Sequence, residues 1–264
     1  MGTVGAVAML APKISFGQEG HWDAYETAEH SVVSAHAMIK GALSVGAGAL
    51  VLFLVVPGLD TTIAHIFYDG EHQFIGNRLP AFQASRDFFN AVLYLTCTAT
   101  VIGLFVTWRS AGPCLGLVFN KWLFLALCLF VGPLVVTNIG LKDHWGRARP
   151  RDVIEFGGEK AFTPVFPPSN QCGHNCSFVS GEASSIYVIF FAAAFLLRRH
   201  ARRMIALGVV LGSLAGLTRI AQGGHFLSDV VFAGVFMALT AACLQLLFDT
   251  IRAADGAEIA EPAA

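Results

Sequence analysis

The sequence predicts an all-α integral membrane protein, a bundle of six transmembrane helices, on three observations. Of its 264 residues 55% are hydrophobic and only 13% charged, against about 25% charged in soluble domains, and the mean hydropathy is +0.62. Six apolar segments stand nearly free of charge. The cations between them fall in short loops whose spacing fixes which segment ends share a side.

Three of the segments are long: 41–59, 90–108 and 122–141. A span needs roughly 20 residues at 1.5 Å each, and 230–248 meets that length as the last one. Between them 183–197 and 204–218 are shorter, and they complete a crossing if Glu182 and Arg219 sit at the interface. In the second of these Gly208, Gly212 and Gly216 recur at every fourth residue, on one face. Such a face lets backbones approach closely, and it predicts a central helix in a tight bundle.

Orientation follows from "RRHARR", Arg198 to Arg203, which joins the fourth and fifth spans and belongs in the cytoplasm by the positive-inside tendency. Both termini then lie inside, and loops 60–89, 142–182 and 219–229 lie outside. The division is a cytoplasmic segment at 1–36, a six-span domain at 37–249 and a tail at 250–264. The start of the chain lacks the basic run of a secretory signal and the Ser or Thr of a myristoylation site, so insertion by its own spans is expected. The stretch 67–89, "FYDGEHQFIGNRLPAFQASRDFF", reads as amphipathic, lying along the headgroups, or as a plain connector. With 17 basic and 18 acidic residues, the composition gives no sign of a nucleic-acid partner.

The outer loops carry the chemistry. "KDHWGRARPR" crowds Lys142, Arg147, Arg149 and Arg151 into one corner, on the side where the positive-inside tendency disfavours cations. Lys142 and Arg149 are seven apart, two helical turns, so on a helix both point the same way, and Pro150 ends that helix at Arg149. "FVSGEAS" follows at 178–184, and "TRIAQGGHFLSDVV" at 218–231. There His225 and Asp229 are four apart, close enough for the carboxylate to bond one imidazole nitrogen and leave the other free. Lys142, Arg149 and Arg219 offer donors and charge suited to phosphate. Ser180 and the Gly181 N–H, at the start of the fourth span, have the character of an anion-binding helix N-terminus. His225 is then a nucleophile or general base, and Glu182 a donor of the leaving-group proton.

These residues resemble the type 2 phosphatidic acid phosphatase family, whose pattern is K-x6-R-P, then P-S-G-H, then S-R-x5-H-x3-D. The chain supplies Lys142-x6-Arg149-Pro150, Val179-Ser180-Gly181-Glu182, and Thr218-Arg219-x5-His225-x3-Asp229. Order, spacing and span number match, so the likeness covers nearly the whole chain. The resemblance implies catalysis by His225 through a phosphohistidine, with Asp229 orienting it. It implies that Lys142, Arg149, Ser180, Gly181 and Arg219 hold the phosphate, with no metal and no other cofactor. The expected partners are a lipid phosphate substrate and the membrane lipids around it. The expected location is a bacterial inner membrane, with the active site facing the periplasm.

Val179 and Thr218 are mild departures; Glu182, where the family has its proton-donating histidine, is not. Free glutamic acid has a pKa of about 4.3, so three routes stay open. Glu182 is tuned to donate, or His174 or His144 donates instead, or the leaving group needs little help. A general acid supplies roughly 10² to 10⁴ in rate, and the third route favours lipid A 1-phosphate or undecaprenyl diphosphate over phosphatidylglycerol phosphate or phosphatidic acid. A lipid-to-lipid phosphotransferase, and a non-catalytic lipid phosphate binder or transporter, are the rival readings; a vanadium-dependent haloperoxidase shares the motifs but not the spans. In "CGHNC", Cys172 and Cys176 form a disulfide, join an incomplete metal shell, or stay as free thiols.

Overall fold

The computed structural model describes residues 33–70 and 73–260, so most of the segment expected at 1–36 lies outside the described residues. Their regular structure is helical throughout. Five helices are long and apolar enough to cross a membrane, and a sixth apolar helix is shorter.

Helix α1 (Ala35–Val55) opens where Ser34 accepts the Ala37 N–H at 3.1 Å, a serine N-cap. Two short helices follow, α2 (Leu59–His65) and α3 (Ile75–Arg78). Helix α4 (Pro80–Ser110) starts at Pro80, whose fixed φ and missing N–H suit a first helical position. Residues 80–89 of the mixed-charge stretch are thus the first three turns of a helix, which carries Arg86 to the end of a span where the loops meet.

Helix α5 (Phe119–Leu129) continues as a π-helix over Phe130–Lys142 with Pro133 inside it. Proline cannot supply the regular i→i−4 bond, and wider-wound turns of this kind gather at functional sites. The helix stops at Lys142, so the expected run to Arg149 does not form; Arg149 is extended and Pro150 opens a 3₁₀ turn.

Helix α6 (Gly181–Leu196) has sixteen residues, about 24 Å at 1.5 Å each. Eleven of the sixteen are buried, which makes α6, not the glycine-striped span, the central helix. It packs on α4, α5, the π-helix and the last two helices, α7 (Ala201–Ala221) and α8 (Leu227–Ala260). The glycine face of α7 serves that centre. A Cβ on Gly212 would lie 2.4 Å from the Tyr187 ring, and one on Gly216 2.2 Å from Val230. Helix α8 runs through the stretch read as a tail, to Ala260. Large apolar side chains face outward on α1 and α4, among them Val51, Val55, Leu95 and Val101, as lipid-facing helices require.

The three loops expected outside meet at one end. Asp60 of α2 binds Ser228, Asn77 reaches the Gln222 carbonyl, and Ser85 bonds Thr218 at 2.9 Å. Gly146, at φ +70°, lets the chain turn where a Cβ would strike the Ser169 carbonyl at 1.7 Å. Cys172 and Cys176 are joined in a disulfide with Cα atoms 5.7 Å apart, so neither thiol is available to a metal.

The packing of α7 on α6 gives a direct expectation. Tyr187 is anchored through its hydroxyl to Ser213 at 2.9 Å, so its ring cannot easily yield. Gly212→Val should destabilise the protein by about 1–3 kcal/mol, the usual cost of overpacking, read as a lower unfolding temperature in detergent. Gly48→Ala, with nothing within 4 Å of the new methyl, should leave that temperature unchanged or raise it.

Candidate active site

A cavity of about 290 Å³ opens at the end where the loops meet. Its walls include Lys142, Arg149, Gly181, Glu182, Arg219 and His225, six of the eight residues expected from the sequence. The other two, Ser180 and Asp229, are fully buried. His174 and His144 are absent from the lining; His174 pairs with Asp143 at 2.8 Å and is 81% exposed.

Each cation arrives by a different route. Lys142 ends the π-helix, and its Nζ lies against position 181 at the mouth of α6, 2.9 Å from where a Cβ there would stand. Arg149 comes from the loop, and its Nη2 donates to the Asn175 carbonyl at 2.7 Å and side-chain oxygen at 2.8 Å. Asn175 lies within the disulfide ring, which holds that arm in place. Burial, followed by the nearby Arg151, lowers the Arg149 pKa, yet a guanidinium keeps its charge in proteins. Arg219 stands on the last turn of α7. Ser180 is the N-cap of α6, and its Oγ is buried without a hydrogen-bond partner.

The imidazole is set differently from the sequence expectation. His225 Nδ1 bonds the Ser177 carbonyl at 2.7 Å, so its hydrogen points there and Nε2 keeps the lone pair. Asp229 Oδ2 is 3.7 Å from Nδ1, too far for a hydrogen bond. Instead Oδ2 accepts the Ser177 hydroxyl at 2.5 Å and the Phe226 N–H at 2.8 Å, the second of these capping α8 from its first turn. Asp229 therefore orients the imidazole through Ser177. Burial, with help from Lys142 and Arg219 and against the pull of Asp229, lowers the His225 pKa to about 4. The ring is neutral at pH 7.

Behind this lies Arg147, which the sequence crowds into one corner with Lys142, Arg149 and Arg151. It turns inward and is 1% exposed. Nη1 donates to Asp229 Oδ1 and Ser228 Oγ, Nη2 to Asp60 Oδ2, all at 2.7 Å, and Nε to the Thr163 carbonyl at 3.0 Å. Asp60, Arg147 and Ser177 were missed as parts of the site because their roles need partners far along the chain. Arg86 was missed because its helix was read as a loop. It lines the cavity and donates to Glu182 at 3.0 Å. Glu182 also pairs with Arg219, so one carboxylate spans two guanidiniums.

A model of the PAP2 superfamily matches residues 121–252, half of the chain. The chain belongs to that superfamily. The chain is 40% identical over 193 residues to a lipid A 4'-phosphatase of Francisella tularensis subsp. novicida (strain U112), covering 72% of this chain and 86% of the relative. It is 33% identical over 155 residues to a lipid A 1-phosphatase of Rhizobium etli (strain ATCC 51251), covering 56% of each. The crystal structure of a PAP2 type phosphatidylglycerolphosphate phosphatase from Bacillus subtilis matches with a TM-score of 0.46 and 19% identity, over 79% of this chain and 96% of that one.

Two expectations follow. Arg147→Met strands two buried carboxylates, and removing one partner of a buried ion pair costs about 3–5 kcal/mol, so thermal unfolding in detergent should shift down sharply. The second concerns pH. The His225 pKa falls from 6.5 to about 4 on folding, so between those values the unfolded chain binds more protons. Its contribution, on the order of 3 kcal/mol by the pKa difference, is complete above pH 6.5 and fades as pH falls toward 4. His225→Gln should flatten the pH dependence of unfolding across that window.

Proposed function

We propose that the protein hydrolyses the 4'-phosphate of lipid A at the periplasmic face of the inner membrane, through a phosphohistidine on His225. PAP2 membership makes it a membrane phosphatase acting on lipid phosphates; substrate, intermediate and side of the membrane are the further reading. The observation that carries it is the His225 imidazole sharing one cavity with Lys142, Arg149 and Arg219, where burial lowers its pKa. The nearer relative supports position 4' over position 1. That choice departs from the 1-phosphate and undecaprenyl diphosphate favoured by the easy-leaving-group route, because a 4' oxygen is an ordinary sugar alcohol and needs a proton. The arginine-rich turn at 198–203, at the far ends of α6 and α7, supports a periplasmic cavity by the positive-inside tendency.

The acyl chains stay in the bilayer while the phosphate enters among the three cations. Gly181 and Glu182 bring the start of α6 to the cavity wall, where its first amides can meet the phosphate oxygens; the buried Ser180 Oγ, without a hydrogen-bond partner, precedes them in the chain. His225 Nε2 attacks phosphorus, the bond to the sugar oxygen breaks, and that oxygen takes a proton. Water then attacks the phosphohistidine and releases inorganic phosphate. Glu182 is the proposed donor. Bound to two guanidiniums it is an acceptor, so its proton must come with the substrate. A phosphate monoester loses its second proton near pH 6; a monoanion that displaces Glu182 from Arg219 brings a proton to that carboxylate, which passes it to the departing oxygen.

A phosphate-release panel over lipid A, undecaprenyl diphosphate, phosphatidylglycerol phosphate and phosphatidic acid, with mass spectrometry of the lipid A product, tests the reading. Loss of the 4' group is expected, and His225→Ala should abolish it. Glu182→Gln should lower kcat by roughly 10² to 10⁴, the range of a general acid. Release that survives His225→Ala would contradict the mechanism, and an unchanged rate in Glu182→Gln would remove Glu182 as the donor.

A further inference from the structure

Arg86 stands outside the region matched by the family model, on α4, yet its side chain reaches the cavity. Its Nε donates to Glu182 Oε1 at 3.0 Å, while Arg219 holds Oε2 of the same carboxylate. The two guanidiniums differ in setting: the Arg86 side chain is 42% exposed and that of Arg219 only 9%. The adjacent Ser85 bonds Thr218 at 2.9 Å, so α4 is tied to α7 at the residue preceding Arg219. Arg86 is therefore held in register with the buried cation.

A carboxylate in a phosphate cavity is a competitor for its cations. Like charges within a few ångströms oppose each other, and a Glu182 left with Arg219 alone would occupy the guanidinium that the substrate needs. We propose that Arg86 is the counter-ion that makes a carboxylate usable at position 182: it retains Glu182 when the lipid phosphate takes over Arg219. It is a positioning residue, acting through Glu182 and not on phosphorus. The inference rests on the reading of the cavity as a lipid phosphate site. A neutral side chain at position 182 would need no such partner, so the pairing is tied to the carboxylate.

A double-substitution cycle tests this. The full chain in detergent micelles is titrated with inorganic phosphate, and KM and kcat are measured for phosphate release from lipid A. Arg86→Gln should weaken phosphate binding and raise KM about tenfold, with a smaller effect on kcat. In a Glu182→His background the same substitution should shift both constants by less than about twofold. Arg86→Lys, which keeps the charge, should stay within about threefold of the parent. Equal weakening in both backgrounds would mean that Arg86 binds the substrate directly, and no weakening in either would make the pair a passive surface contact; both results overturn the proposal. A drop in unfolding temperature that accompanies weakening in every variant, Arg86→Lys included, would assign the effect to the fold and also overturn it. Failure of the parent protein to release phosphate from any lipid would instead sink the phosphatase reading, while the inorganic phosphate titrations would still decide the role of Arg86.

Discussion

The loop end of this molecule, where the cavity opens, is organised around one buried guanidinium. Arg147 lies between Asp60 and Asp229, both essentially fully buried, and a guanidinium placed there without partners would cost several kcal/mol. Two carboxylates against one cation leave an excess negative charge, and hydrogen bonds absorb it. Asp229 receives a hydroxyl and an amide from Ser177 and Phe226, and Asp60 receives an amide and a hydroxyl from Ser228. The Phe226 ring lies 4.3 Å from the guanidinium carbon, a favourable cation–π distance. Ion pairs of this kind add little net stability compared with apolar packing. What this one does is link three segments distant in the chain, since Asp60 comes from α2, Arg147 from the loop after the π-helix and Asp229 from the start of α8.

The consequence for chemistry is a layered electrostatic arrangement. The buried network sits beneath His225, and Lys142, Arg149 and Arg219 stand at the cavity wall. Because Asp229 is fully engaged with Arg147, Ser177 and Phe226, it does not take the imidazole hydrogen. That hydrogen goes to the Ser177 carbonyl, a neutral acceptor, and the ring stays uncharged with Nε2 unprotonated. A carboxylate bonded directly to Nδ1 would favour the imidazolium. The network thus stabilises the loop that carries the imidazole without charging it, while the cations in front draw in an anion.

Much of this could be read from the sequence, for identifiable reasons. The six apolar segments were legible because hydrocarbon imposes a composition that no other environment does. That residues 142, 149, 181, 182, 219 and 225 converge on one cavity was legible, because the spacing that marks each of them is local to its own loop. Arg86 was not, because "FQASRDFFN" is too polar to look like part of a span, although it lies on the first turns of α4. The inward turn of Arg147, two residues from the cavity-facing Arg149, depends on Gly146 and on carboxylates 87 and 82 residues away. No pattern within one loop carries that information. The role of Ser177 is equally long-range, since its hydroxyl and carbonyl serve two residues about fifty positions later.

If a neutral imidazole in front of a fixed anionic network attacks phosphorus, the enzyme must pass through a covalent state. Rapid quenching during turnover of ³²P-labelled lipid A, followed by peptide mapping, would detect it. The account predicts an acid-labile, base-stable label on residue 225. Continued turnover with no labelled protein at any quench time, or a label mapped to another side chain, would contradict it.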